Sequence, residues 1–260
     1  MKRIAFFQYA GGSSKTSTVR DVGYLLARRG RRVLLVDADP QASLTSWLGV
    51  DRYEVEEGRT LLPVAVGGAS LPEPLRVHGL DLIPSTVAFA AAERHLLGGI
   101  GPVYRIREAL NAVDGRYDFV LIDTPPSLGQ ITTAAVIAAD SLVVPMLAHP
   151  KGADGLPTVL DMVSDWRRAV PNLSIAMFIP TQVDDTKVQK RYLDAIREQL
   201  TRVAPVSTPV RYRPAVHRTA TDVKAPIPAL SPAPKDAVAE LEVVTDELLT
   251  ALEVSGGGQD

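Results

Sequence analysis

Two short runs constrain this chain more than anything else in it. Val33-Leu34-Leu35-Val36-Asp37 and Phe119-Val120-Leu121-Ile122-Asp123 are each four apolar residues closed by an aspartate. A strand that is apolar on both faces is covered on both, which is the habit of a parallel sheet sandwiched between helices. Apolar runs recur at Ile4–Tyr9, Arg32–Val36, Leu80–Ile83, Phe119–Ile122, Ser141–Met146 and Ile175–Ile179. Between them lie stretches of helical period: Lys15–Arg29, Val103–Val113, Ile131–Ala139, Thr158–Ala169 and Lys187–Leu200, with a last one at Asp236–Leu252. This alternation predicts an α/β fold with a mostly parallel sheet and helices on both faces.

No internal repeat is visible. Residues 1–254 read as a single domain, with the Gly/Pro-rich segment Asp51–Pro74 an excursion from the sheet and Ala225–Pro234 a loop. Residues 255–260 read as a disordered Gly-rich tail. The 260 residues contain no cysteine, which excludes disulfides, thiolate metal sites and cysteine nucleophiles. Four histidines, His78, His95, His149 and His217, are scattered without metal-ligand spacing.

The chemistry gathers at the strand tips. Gln8-Tyr9-Ala10-Gly11-Gly12-Ser13-Ser14-Lys15-Thr16-Ser17 joins the first strand to the first helix. Paired glycines let a backbone come close to an anion, and the start of a helix offers it unpaired N–H groups. A lysine there reaches β/γ-phosphates, and a threonine hydroxyl ligates Mg²⁺. The generic pattern G-x-x-x-x-G-K-[ST] fails, with Tyr9 and Ser14 at its glycine positions. Asp37, Asp39 and Asp123 supply carboxylates at the ends of two strands, where a parallel sheet turns them toward the loop. Mg²⁺ takes one or two carboxylates together with phosphates and waters. Asp123 reads as the metal carboxylate, and Asp37 or Asp39 as the group that orients an attacking water.

Together these segments resemble the ParA/MinD family of deviant Walker A ATPases, and within it the short, Soj-like ParA-type partition ATPases. The matching residues are Gly11-Gly12-Ser13-Ser14-Lys15-Thr16, Asp37-Ala38-Asp39-Pro40-Gln41 and Asp123-Thr124-Pro125-Pro126-Ser127-Leu128-Gly129, with Leu82-Ile83-Pro84-Ser85-Thr86 and Ala139-Asp140-Ser141 alongside. The resemblance implies a P-loop NTPase-like fold and an ATPase using ATP/ADP and Mg²⁺. It also implies a homodimer formed on ATP binding, non-specific DNA binding, a ParB-like partner that stimulates hydrolysis, and a cytoplasmic, nucleoid-associated life in plasmid or chromosome partition. By the same resemblance, Gly11 to Ser17 cradle phosphate, and Lys15 is the catalytic phosphate lysine. Thr16, Asp123 and Asp39 serve the metal, Asp39 places the attacking water, and Pro209 and Arg211 lie against adenine. There are two departures. Ala10 stands where the family carries its signature lysine, and Ser14 where it carries glycine, so slow hydrolysis or a different cation is expected.

Net charge is −2, yet its distribution is uneven. From Lys187 to Lys224 nine basic residues face three acids, a net +6, and from Ala225 onward seven acids face one lysine, a net −6. The basic stretch is the expected DNA surface, through Lys187, Lys190, Arg191, Arg197, Arg211, Arg213, Arg218 and Lys224. The acidic last helix would be repelled by an anionic bilayer, so no membrane partner is expected.

Overall fold

The computed structural model describes residues 1–97, 100–148, 155–184 and 186–256. His149 and residues 257–260 of the expected tail lie outside them.

Seven strands form one sheet: β1 (Lys2–Phe6), β2 (Val33–Asp37), β3 (Leu75–Val77), β4 (Leu80–Ile83), β5 (Phe119–Asp123), β6 (Ser141–Leu147) and β7 (Ser174–Thr181). Their spatial order is β3-β4-β2-β5-β1-β6-β7. Every pairing is parallel except β3 with β4. The antiparallel β3 was not expected from the sequence. It has three residues and none of them is fully buried, so it carries no long apolar run.

The helices are α1 (Lys15–Arg28), α2 (Ser43–Trp47), α3 (Leu62–Gly67), α4 (Ala92–Leu96), α5 (Ile100–Asn111), α6 (Gln130–Ile137), α7 (Leu156–Arg167), α8 (Lys187–Leu200), α9 (Pro214–Asp222) and α10 (Lys235–Gly256). Alternation along each strand divides the core in two. On β2, Leu34 and Val36 face one way, with Val120 and Ile122 of β5, and pack under α5, α6 and α7. Val33 and Leu35, with Leu121, face the other way and meet Val19, Val22 and Leu26 of α1 and Val244 and Leu248 of α10. The same period-2 rule turns the terminal Asp37 and Asp123 toward the α1 side.

Register completes the placement. Phe6 pairs with Asp123 on one side of β5, and Asp37 pairs with Asp123 on the other. Three strand tips therefore end level, directly beneath the first turn of α1. The Asp51–Pro74 excursion is anchored by Val64 and Ala65 of α3, both fully buried. Its helix has six residues, with Pro63 at its start and Gly67 at its end, too short to show a period. The last helix runs to Gly256, two residues past the expected domain end.

Its apolar side, Val244, Leu248 and Leu252, is buried against the sheet. Truncating a fully buried leucine typically costs about 2–5 kcal/mol. Leu248→Ala should therefore lower the unfolding free energy by about 2–4 kcal/mol in urea titrations. A helix that merely trails from the domain would show almost no change.

Candidate functional site

In the loop from Gln8 to Ser14, the carbonyls of Gln8, Gly12, Ser13 and Ser14 are occupied, while the amides from Gly11 onward are not. Lys15 Nζ donates to the Gln8 carbonyl at 2.7 Å. The Gln182 amide donates to the Gly12 carbonyl, and the Thr181 hydroxyl to the Ser13 carbonyl at 3.2 Å. The Ser14 carbonyl takes the Thr18 N–H at 3.0 Å and the Thr18 and Ser17 hydroxyls at 2.7 and 3.1 Å. Among the described residues, the backbone N–H groups of Gly11 through Thr16 have no protein partner. A run of unpaired donors at a helix start, with no acid in the first turn, is an anion cradle.

Backbone conformation explains the residue types. Gly12 has φ +75°, which costs glycine nothing. Ser14 has φ +66°, so the second departure from the family pattern falls on a left-handed residue. An L-residue pays about 1–2 kcal/mol there, which is the reason glycine suits the position.

Under the cradle lie the carboxylates. Asp37 accepts the Thr45 N–H at 2.9 Å, the Thr45 hydroxyl at 2.6 Å and the Asp39 N–H at 3.1 Å. It braces the loop that carries Asp39, and burial pushes its pKa up to about 7 against those bonds. Asp123 is different. Both of its oxygens are buried, and neither accepts a hydrogen bond of ordinary geometry. Burial, then the neighbouring Asp37, pushes its pKa well up, while Thr16 and Lys15 pull the other way. Lys15 is lowered by burial and held up by Asp123 and Asp39. Asp39 is raised by burial, with the Gln41 N–H and Lys15 opposing.

The remaining buried, unpartnered side-chain polar atoms among the described residues are the hydroxyls of Ser13, Ser85 and Thr86. All follow strand tips at this same edge. Native structures leave few such groups, and a cluster of them marks a place that expects a ligand. No three His, Cys, Asp or Glu side chains converge as a metal site among the described residues. A divalent ion would therefore need oxygens from a bound phosphate as well as from Thr16 and the aspartates, which fits Mg²⁺ and its small protein ligand count.

A cavity of about 520 Å³ runs from the cradle along α1, within the size range of small-molecule sites. Gly11 through Ser17 and Asp39 line its phosphate end. Val210, Arg211 and Tyr212 line its far wall, beside Arg20, Asp21 and Trp47. Pro209 is not in the lining; its neighbour Val210 takes that place. The buried Arg20–Asp21 pair, 2.9 and 3.0 Å apart, and its stacking over Trp47 at 5.7 Å gave no signal in the sequence. Nor did Thr181 and Gln182, because a single polar residue after a strand is read only from what it touches. Ala10 is half-buried beside the loop.

The basic stretch is divided by the fold. Lys187, Lys190 and Arg191 are exposed together at the start of α8. Arg197 instead turns inward to the Ser207 carbonyl at 2.9 Å. Arg213 is held bidentately by Glu240 at 2.5 and 2.7 Å, and Arg211 pairs with Glu240 at 3.4 Å while lining the cavity. Arg218 and Lys224 are exposed at α9, whose Ala220 packs with Leu25 of α1 and Leu241 of α10, on the layer opposite α8. The acidic last helix thus neutralises part of the basic stretch within the molecule.

Sheet order, loop and strand-tip aspartates together define the P-loop NTPase fold. A family model described as an AAA domain matches residues 1–176. A probable plasmid-partitioning protein ParA of Thermus thermophilus is 42% identical over 260 residues, covering 96% of this chain and 79% of that protein. The sporulation initiation inhibitor protein Soj of Bacillus subtilis is 39% identical over 165 residues, covering 62% of this chain and 64% of Soj. The crystal structure of a cobyrinic acid a,c-diamide synthase from Mycobacterium smegmatis with bound ADP and magnesium superposes with a TM-score of 0.81 at 28% identity, over 97% of this chain and 96% of that one. The chain belongs to the ParA/MinD family of P-loop ATPases, close to the Soj-like partition proteins.

Burial and the neighbouring Asp37 both disfavour the Asp123 charge in the ligand-free site, against Thr16 and Lys15. Without ligand, Asp123→Asn exchanges a carboxylate whose charge burial and Asp37 disfavour for a neutral side chain of the same shape, and should raise the unfolding midpoint at about pH 8. The raised carboxyl pKa values also set a sign. Protons bound by Asp37 and Asp123 in the folded state make stability greatest below the unfolded carboxyl pKa, and it is lost as pH rises through the folded values. Urea titrations of the ligand-free protein between about pH 5 and pH 8 should show stability falling, and falling less in Asp123→Asn.

Proposed function

We propose that residues 1–254 act as one ATPase domain that binds ATP and ADP with Mg²⁺, hydrolyses ATP weakly, and serves plasmid or chromosome partition or the positioning of another cargo. The observation that carries this reading is the pairing of a cradle of unpaired amides with a buried Asp123, directly opposite Phe6 in register, that accepts no hydrogen bond of ordinary geometry. Unpaired backbone donors at a helix start suit an anion, and a buried carboxylate with no hydrogen-bond donor of ordinary geometry suits a cation.

In this reading Gly11, Gly12, Ser13, Ser14, Lys15, Thr16 and Ser17 hold the phosphates. Thr16, Asp39 and Asp123 serve the metal, which when bound neutralises phosphate charge. Asp39, raised by burial yet held near Lys15, orients the attacking water and draws its proton. The base rests against Val210 and Arg211, with Pro209 behind them. Ala10 brings no cation of its own to the phosphates, so turnover without a partner is slow.

Two subunits close over ATP through the strand-tip edge, where Val87 and Leu128 are 71% and 45% exposed. The dimer binds DNA non-specifically through Lys187, Lys190 and Arg191 and, on its other layer, Arg218 and Lys224. A ParB-like partner stimulates hydrolysis. The acidic α10, its apolar side spent on the core, argues against a membrane role, and no helix among the described residues is long and apolar enough to cross a bilayer.

Calorimetry tests the centre of this reading. The intact chain should bind ATP with Mg²⁺, and Lys15→Ala should lose most of that affinity. Asp39→Ala should keep binding and lose turnover by about 10²–10³-fold. No heat from the intact chain with either nucleotide refutes the reading. Removing Lys187, Lys190 and Arg191 together should weaken DNA binding and flatten its salt dependence without changing nucleotide affinity. Unchanged DNA affinity would assign that surface elsewhere.

A further inference from the structure

The cradle is tied to the basic end of α8 by a short chain of side chains. Gln182 follows β7 and sits in the left-handed region at φ +56°. Its amide donates to the Gly12 carbonyl and, at 3.4 Å, to the Ser14 hydroxyl. Its own carbonyl accepts the Gln189 amide at 3.1 Å. Gln189 lies in the first turn of α8, and its side-chain oxygen also takes the Asp184 N–H. Asp184 in turn holds the Thr186 N–H at 2.9 Å and hydroxyl at 2.6 Å, and Thr186 caps the helix through the Gln189 N–H at 3.3 Å.

The packing of α8 makes this chain consequential. Its buried residues are Leu193, Ile196 and Leu200, all in the middle or at the end of the helix. At its start Lys187, Val188, Lys190 and Arg191 are exposed. Among the described residues, the apolar anchor nearest the first turn is the cluster of Val183, Leu193 and Ala148, and the polar bonds through Asp184, Thr186 and Gln189 add to it in positioning that turn. A non-glycine residue in the left-handed region persists only where its surroundings hold it. For Gln182 those surroundings include the phosphate loop itself.

We propose that Gln182 and Gln189 form a relay through which occupancy of the phosphate loop positions the basic first turn of α8 within a single subunit. This rests on the reading of the loop as a nucleotide cradle and adds a route of regulation to it. A polyphosphate drawing on the amides of Gly12 to Ser14 acts on the peptide units whose carbonyl and hydroxyl Gln182 grips. The adjustment reaches Gln189 through one hydrogen bond, and Lys190 and Arg191 are its next two residues. By linkage, a polyanion seated on that turn favours nucleotide to the same degree. Dimer closure brings two such turns together; the relay makes each of them responsive beforehand.

Hydrogen exchange of the amides of residues 187–191 reads the relay without needing DNA. In the intact chain ATP with Mg²⁺ should slow them by about 5-fold or more. Gln189→Ala cuts both bonds. Gln189→Glu keeps an acceptor for the Asp184 N–H and removes the donor to the Gln182 carbonyl, so the helix start stays capped. Both variants should bind ATP within about twofold of the intact chain by calorimetry, and their amides should respond by less than about twofold. Slowing that comes from dimer contacts would survive in both. ATP binding with unresponsive amides in the intact chain, or an equal response in the variants, overturns the relay alone. Absence of ATP binding in the intact chain overturns the relay together with the reading beneath it.

Discussion

The structure depends on a division of labour inside one turn of backbone. Four carbonyls of the segment from Gln8 to Ser14 are each gripped by a side-chain donor, and among the described residues the N–H groups from Gly11 to Thr16 have no partner. Peptide planarity makes these two facts one, since a carbonyl held on one side turns its N–H toward the other. The donors come from α1 and from β7, two strands away from β1 in the sheet. An anion site here is therefore a property of the whole sheet and not of a local motif.

The same edge carries the opposite charge under deliberate tension. Asp123 and Asp37 are register partners on adjacent strands, both fully buried and both turned toward α1. Asp37 is satisfied by three hydrogen bonds and holds the Asp39 loop, while Asp123 accepts no hydrogen bond of ordinary geometry among the described residues. Lys15 sits between the cradle and these acids, its charge disfavoured by burial and favoured by them. Desolvation weakens each charge alone, so the group is most comfortable when a bound anion and cation complete it.

The C-terminal part of the chain serves that site through electrostatics rather than through its bulk charge. Glu240 of α10 holds Arg213 and Arg211, and Glu247 takes the Thr208 N–H at 2.7 Å and hydroxyl at 2.8 Å. These bonds clamp the strap that supplies Val210 and Tyr212 to the cavity wall. The acidic and basic blocks that cancel in the sequence total thus meet physically. Of the described residues in the basic stretch, Lys187, Lys190 and Arg191 stay exposed at the start of α8, and Arg218 and Lys224 at α9.

Much of this was determined by the amino-acid order itself. Buried β-strands announce themselves as solid aliphatic runs, because two covered faces exclude polar residues. The helices of ten or more residues announce themselves by period, and the loop by its glycines beside Lys15 and Thr16. The terminal aspartates of β2 and β5 were visible for the same reason: a charge closing an apolar run must sit at a tip. Tertiary structure alone decided that Asp37 is satisfied and Asp123 is not, since both look alike in the chain and differ only in whether a donor such as Thr45 folds over them. It alone decided that Arg197 and Arg213 turn inward while Lys187 and Arg191 face solvent, because charge is read from composition but pairing needs proximity. The short β3 and the six-residue α3 also belonged to it, being too brief for any period and held by what they pack against.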